Sequence, residues 1–462
     1  MYLTIIGAGP GGYVAAVRAA QQGARVTLIE DREVGGSCLN WGCIPTKTLI
    51  ASAAALTTIR HAQDFGVTVP GEVRPDLDRI RARTDKVVAT QVKGIRELLR
   101  SWGVKLIAGR GTLIDGTVAR AVQADGTTMD IRSDRIIVAT GSRPAPLPGI
   151  VPDGERVITS DDAVRMRTVP ASLVIVGAGA IGCEFAFLYQ ALGSAVTLIE
   201  LAPRVLPTED EEIAAVLERE LKKARIALIT GVGIGSLRKD DDGCAVQLTN
   251  GKELKAGQVL IAVGRAMNTE GLGLDVMGIR TGRRGEITVN ERMETSVPGI
   301  YAIGDVTGTM MLAHVASHQG LVAVDNALGG TARMEYAAVP SGIFTRPEIG
   351  SVGLREFQAA ERGIAVRTGR FPYRALGKAH ADGEIAGLVK IIADAATDRV
   401  LGVHIIGAHA AAIIHEGALA VRTGVTARQL AEMVHAHPTL AEAVMEAAGD
   451  VHGQAIHLPR PK

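Results

Sequence analysis

Residues 3–30 (LTIIGAGPGGYVAAVRAAQQGARVTLIE) align without a gap on residues 173–200 (LVIVGAGAIGCEFAFLYQALGSAVTLIE), at an offset of 170. Each copy reads as a strand, a GxGxxG turn, an amphipathic helix, a glycine (Gly23, Gly193) and a second strand ending in glutamate. Gly7, Gly9 and Gly12 correspond to Gly177, Gly179 and Gly182, and Glu30 corresponds to Glu200. In such a unit the first glycine makes the tight turn, the second lets a pyrophosphate approach the backbone, and the third lets helix and strand pack closely. The anion sits on the helix N-terminus. The glutamate, 18 residues past the last glycine, is placed for an adenosine-ribose hydroxyl. A lone GxGxxG is weak evidence, because such turns also serve packing. Two of them, each inside a full βαβ pattern, predict an α/β fold with two Rossmann-like dinucleotide-binding domains.

At 462 residues the chain is too long for one core and suggests about three domains. Its 50 basic and 49 acidic residues argue against nucleic acid or an acidic membrane surface as partner. No apolar run approaches the roughly 20 residues that span a bilayer, so no membrane association is expected. The chain opens on Met1–Ile6, already strand-like, and a cytoplasmic, reducing compartment is the expectation.

There a dithiol is catalytic or metal-binding rather than structural. Cys38-Leu39-Asn40-Trp41-Gly42-Cys43 follows Gly35-Gly36 and precedes Ile44-Pro45-Thr46-Lys47, which reads as a helix start. The other cysteines, Cys183 and Cys244, stand singly. A zinc site needs about four ligands, so no metal is expected and the pair reads as a redox centre. Positive charge at the helix N-terminus favours the thiolate of Cys43.

Two ADP-type sites and a dithiol beside the first suggest FAD there and a hydride carrier at the second. Glu200 is followed by Leu201-Ala202 rather than by a basic cluster, which favours NAD over NADP, although Arg204 stands close. Segments 135–141 and 258–264 read as buried strands, and 299–305 as a strand delivering Asp305, which either serves a ligand or caps the next turn. Residues 78–100 read as a charged amphipathic helix with one solvated face.

From about residue 340 the pattern changes to an antiparallel sheet, with strands at 342–354, 364–371, 386–393 and 400–406 and helices at about 409–423 and 427–434. In His435-Ala436-His437-Pro438-Thr439-Leu440-Ala441-Glu442, Pro438 suits a first helical turn, with His437 at the helix entrance and Glu442 about one turn in, within reach of the imidazole. His435 reads as structural.

In chain order, GAGPGG, GGSCLNWGCIPTK, VATGSRP, GAGAIGCE, YAIGDVTG, MLAHVA and HAHPTLAE give the whole chain a resemblance to the pyridine nucleotide–disulfide oxidoreductases, closest to their dihydrolipoamide-oxidising members. The resemblance implies an FAD-binding domain at 1–147, an NAD-binding domain at 148–268, a central domain at 269–337 and an α+β dimerisation domain at 338–462. It implies a homodimer in which His437, oriented by Glu442, faces Cys38 and Cys43 of the other chain.

Carried over by position, Cys38 resembles the thiol that meets substrate and Cys43 the thiol against the flavin. Lys47 matches the lysine near the flavin N5, and Glu184 the acid paired with it. Asp305 matches the carboxylate on the ribityl chain, while Met311, Leu312, Ala313 and His314 lie along the isoalloxazine. Gly36, Ser37, Gly111, Thr140, Gly141, Ser142 and Gly304 fall where the family touches FAD; Ile181, Val232 and Gly264 fall where it touches NAD.

The implied substrate is dihydrolipoamide on lipoyl domains, with the acyltransferase core of a 2-oxo acid dehydrogenase complex as partner; a glycine-cleavage complex is a second possible host. Relatives with a second thiol pair near the C-terminus are excluded, since every cysteine lies at or before 244. A reductase of another small disulfide, or a scaffold flavoprotein with little turnover, is the alternative. Trp41 and Thr46 depart from the common pattern, and Trp41 is expected to narrow the disulfide mouth.

Overall fold

In a computed structural model, residues 1–241 and 243–460 are described. The chain forms two compact units. The first comprises 1–154, 158–168 and 263–335; the second comprises 155–157, 169–262 and 336–462.

The first unit is built on a five-stranded sheet in the order Ile300–Ala302, Arg135–Val138, Tyr2–Ile6, Arg25–Glu30, Lys105–Ala108. All neighbours are parallel, with Ile5 opposite both Leu28 and Ile137. Parallel strands are covered on both faces, which is why they read as continuous Ile/Val/Leu runs rather than alternating ones. Ile5, Leu28, Ile136 and Ile137 are all 0 % exposed. Helix Pro10–Gln21 packs against helix Ala313–Ala327. The approach is close enough that a Cβ on Gly320 would lie 2.8 Å from the Gly11 carbonyl oxygen. An antiparallel sheet of Arg110–Asp115, Val118–Val122 and Thr128–Arg132 and a two-stranded pairing of Ser142–Pro144 with Arg265–Met267 complete the framework. The charged helix spans Leu77–Ser101, opened by the Asp76 side chain accepting from the Arg79 N–H, and buries only Thr84 and Leu99.

The second unit repeats the parallel plan with Ala227–Ile229, Ala195–Ile199, Ser172–Val176 and Gln258–Ile261. Its C-terminal part is an antiparallel sheet in the order Ser341–Ile343, Glu348–Gly353, Val400–Gly407, Leu388–Asp394, Val366–Pro372. Helices Ala410–Thr423, Ala427–Glu432 and Glu442–Asp450 accompany it, around a core that includes Phe371, Val389, Ile405 and Val444.

Two boundaries differ from the sequence reading. The strand read at 342–354 is two strands, interrupted around the cis Arg346–Pro347 bond. The last helix begins at Glu442, not at Pro438. The His437–Pro438 bond is cis, and the imidazole stands on a bend ahead of the helix.

Candidate active site

The two glycine turns have the same construction. A Cβ on Gly7 (φ +104°) would lie 2.3 Å from the Ala139 carbonyl oxygen, and one on Gly12 would lie 1.8 Å from that of Gly7. A Cβ on Gly182 would likewise lie 1.9 Å from the Gly177 oxygen. The middle glycines differ: a Cβ on Gly9 would meet nothing nearer than Gly36 Cα at 3.9 Å, and one on Gly179 would meet nothing within 4 Å. Packing thus demands Gly7, Gly12 and Gly182, and Gly177 has a left-handed φ of 102°, while the middle glycine leaves open backbone. Neither following helix, Pro10–Gln21 or Ala180–Leu192, has a side-chain cap on its first N–H groups. Such an end attracts a phosphate.

Glu30 Oε2 accepts the Ala8 N–H at 2.6 Å and Oε1 that of Arg32 at 2.9 Å. Glu200 accepts the Ala178 and Ala202 N–H groups at 2.7 and 2.8 Å. Each carboxylate is thereby tied to its own glycine turn. Burial pushes the Glu30 carboxyl up to about 7, outweighing the two N–H donors. Arg204 donates to the carbonyls of Glu209 at 2.8 Å and Pro207 at 2.9 Å and lies 5.7 Å from the Phe357 ring. Its guanidinium is thus engaged by backbone carbonyls.

The rest of the first cradle is a hydrogen-bonded frame. Ser142 Oγ lies 2.5 Å from Asp305 Oδ2 and accepts from Arg265 Nε at 2.6 Å, with Arg265 3.7 Å from Asp305. The Gly304 N–H donates to the buried Gln319 Oε1 at 2.6 Å. Thr140 Oγ donates to the Asn268 carbonyl at 2.7 Å, and the Asn268 side chain returns a bond to the Thr140 carbonyl at 3.0 Å. Gly141 has φ +70°, and Gly111 would crowd Ile6 if it carried a Cβ. Met311 and Leu312 lead into the helix that holds Ala313 and His314. Sequence reading missed Arg265, Asn268 and Gln319. Their only local signal is the Gly264-Arg265-Ala266-Met267-Asn268 run closing a strand, with Gln319 silent because its partner is 15 residues away.

Val232 and Ile181 lie in the second unit and Gly264 in the first. The Val232 N–H donates to the Glu200 carbonyl at 3.1 Å, and Gly264 (φ +120°) accepts from Ala145 N–H at 2.9 Å.

Cys38 lies in the short helix Gly36–Asn40, and Cys43 opens the helix Cys43–Arg60. Gly36 has φ +58°, and a Cβ there would lie 2.6 Å from Gly9 Cα. The thiol helix is therefore pressed against the first glycine turn, with Ser37 accepting from the Trp41 N–H at 2.9 Å. Cys38 is half-buried and Cys43 exposed. A hydrogen bond donated to Cys43, then burial, then the charge of Cys43 drive the Cys38 thiol far up, against the opposing pull of Lys47. Cys38 is therefore the sulfur of the reduced pair that holds its proton more firmly than a free thiol. Trp41 does not narrow the mouth. Its ring is 8 % exposed and lines a groove with Val88, Val92, Val104 and Arg165. Cys183 and Cys244 are buried, bonded to the carbonyls of Ala178 and Arg156.

Glu184 and the histidine pair belong to the second unit. Buried Glu184 accepts the Phe344 N–H at 2.9 Å. His437 Nδ1 lies 2.9 Å from Glu442 Oε1, while Oε2 accepts the Thr439 N–H at 2.8 Å. Burial works to raise the Glu442 carboxyl, but Thr439 and His437 hold it below its usual range. His435 is fully engaged, between Glu416 at 2.8 Å and the Met433 carbonyl at 2.9 Å. Among the described residues no metal-ligating cluster occurs, and no helix is long and apolar enough to cross a membrane.

Two Rossmann-type cradles, a thiol pair on one and a His–Glu pair on the other unit's C-terminal domain define a class. The chain belongs to the pyridine nucleotide–disulphide oxidoreductases: that family's model matches residues 1–320, and its dimerisation domain matches residues 339–448. Similar proteins include dihydrolipoyl dehydrogenases of Chlamydia muridarum (42% identity; 98% of this chain, 97% of that protein) and Thermus scotoductus (43%; 99% and 98%). Among solved structures, LpdA of Mycobacterium tuberculosis superposes with a TM-score of 0.91 at 35% identity, covering 97% of this chain and 99% of that one. RclA of Escherichia coli, an HOCl-induced flavoprotein disulfide reductase, gives 0.86 at 27%, covering 97% and 99%.

Proposed function

We propose that the chain is a dihydrolipoamide dehydrogenase, oxidising dihydrolipoamide with NAD⁺ through the Cys38–Cys43 pair. What carries the reading is full-length similarity to dihydrolipoyl dehydrogenases together with a complete set of reactive groups. The open glycine turns and their tethered glutamates suit FAD at Gly7–Glu30 and NAD at Gly177–Glu200. Bound FAD supplies the two-electron link between the dithiol and NAD⁺.

In the oxidised enzyme Cys38 and Cys43 form a disulfide. His437 Nδ1 donates to Glu442, which leaves Nε2 as the basic atom. Nε2 takes a proton from one thiol of dihydrolipoamide. The substrate thiolate attacks Cys38 Sγ, the Cys38–Cys43 bond breaks, and Cys43 leaves as a thiolate stabilised at its helix N-terminus. The second substrate thiol attacks the sulfur bound to Cys38, its proton passing to the departing Cys38 sulfur. Lipoamide closes and Cys38 departs reduced. Lys47 is assigned to the flavin, Glu184 to the nicotinamide, and Asp305, with Ser142 and Arg265, to the ribityl chain.

The enzyme works as a homodimer, with His437 serving the thiols of the other chain. The lipoyl group arrives on a carrier domain of a 2-oxo acid dehydrogenase or glycine-cleavage complex, in the cytoplasm. The four-part division at 147, 268 and 337 assigns FAD, NAD, central and dimerisation roles. Cys38→Ser and His437→Gln should each lower dihydrolipoamide oxidation, the loss of the base costing on the order of 10² to 10⁴ in rate, with FAD retained. Near-normal turnover in either variant overturns the assignment.

A further inference from the structure

The two thiol-bearing helices meet at a break only two residues long. Trp41 (φ −136°, ψ −1°) closes the helix of Cys38, and Gly42 (φ −126°, ψ −111°) precedes Cys43. A side chain at Gly42 would be tight, since a Cβ there would lie 3.0 Å from the Ser37 carbonyl oxygen. Backbone is therefore tight on one side of the break, and a side chain holds the other.

The Trp41 ring is 8 % exposed, with the Arg32 guanidinium 3.8 Å and the Arg165 guanidinium 5.7 Å from its centroid. Arg32 follows Glu30 and gives its backbone N–H to that carboxylate. Asp161 faces Arg32, Arg165 and Arg265 and offsets their charge. The indole Nε1 is buried without a hydrogen-bond partner, a cost of about 1–3 kcal/mol that a ring lacking the N–H would avoid. The N–H therefore does nothing to hold the ring, which is held by its burial and by the two guanidinium groups.

We propose that Trp41 is a positioning residue: clamped by Arg32 and Arg165, its ring fixes the break between the Cys38 and Cys43 helices and so the spacing of the two sulfurs. The claim rests on the dithiol being the reactive pair, and it assigns the ring's shape, not its N–H, as what matters. Displacing a reacting group by about an ångström can cost as much as 10²-fold in rate.

The test measures kcat, KM for dihydrolipoamide, FAD content and the long-wavelength thiolate–flavin absorbance of the two-electron-reduced holoenzyme, in wild type, Trp41→Phe, Trp41→Val and Arg32→Met. Trp41→Val should lose roughly tenfold or more in kcat and much of that absorbance, with KM and FAD content little changed. Trp41→Phe should retain both, and Arg32→Met, which removes the guanidinium from the ring at an exposed position, should fall between. If Trp41→Val folds poorly, Arg32→Met alone decides. A merely structural role predicts a lower Tm with kcat and absorbance intact in Trp41→Val or Arg32→Met, and that result overturns the proposal. A wild type that neither oxidises dihydrolipoamide nor shows the absorbance overturns the dithiol reading itself.

Discussion

Glu30 carries a carboxyl raised to about 7 by burial. For an acid raised in the folded state the charged form is the costly one. The apoprotein therefore gains a penalty as pH climbs from the ordinary carboxylate range to about 7. Ribose hydroxyls donating to the ionised carboxylate relieve it. FAD affinity of the apoprotein should consequently strengthen as pH rises through about 7, and Glu30→Gln should bind weakly with a flat profile. A wild-type Kd independent of pH between 6 and 8, roughly the window around that value, would contradict this. Arg204 makes a second residue-scale case. Since it serves backbone carbonyls, Arg204→Ala should lower Tm while leaving the NAD⁺/NADP⁺ ratio of kcat/KM unchanged. The glycines and both glutamates were legible because each obeys a local steric or hydrogen-bonding rule at a fixed spacing. Arg265, Asn268 and the Glu416 partner of His435 were not, because their partners are distant in sequence and only the fold brings them together.

Among elements, the helix Glu211–Lys223 is joined to the C-terminal sheet by buried charge. Lys390, 2 % exposed, reaches Asp210 at 2.9 Å, Glu212 at 2.8 Å and Glu356 at 2.7 Å, while Arg370 pairs with Glu212 at 2.6 Å. Beside them Glu209 bonds Ser351 and Arg355. Removing one partner strands the others, so Lys390→Met should cost about 3–5 kcal/mol and lower Tm accordingly. The Arg370 hydrogen bond, supported by Lys390 against the effect of burial, holds the Glu212 carboxyl near 2. A depressed carboxyl stabilises above its unfolded value, so this contribution is lost as pH falls from about 4.5 toward 2. Tm against pH should drop more steeply in that window for wild type than for Glu212→Gln; parallel curves would refute the coupling. No part of this network could be read from sequence, since a lysine in a strand looks like an edge residue until its strand is seated. Periodicity did locate the strands and the Leu77–Ser101 helix. It misplaced the last helix because a proline suits a first helical turn, whereas the helix opens only later, at Glu442.

At the scale of the whole molecule, a sequence repeat built two cradles, and the chain places its thiols in one compact unit and its His437–Glu442 pair in the other. The central claim is that these halves work together across two copies of the chain, as a twofold-symmetric dimer allows. The most direct measurement uses two variants, Cys38→Ser and His437→Gln, each inactive as a homodimer, co-expressed with different tags and purified as the mixed dimer. With the base acting between chains, one of its sites has an intact dithiol and an intact histidine, so about half of wild-type turnover should return. A mixed dimer as inactive as its parents would contradict the account.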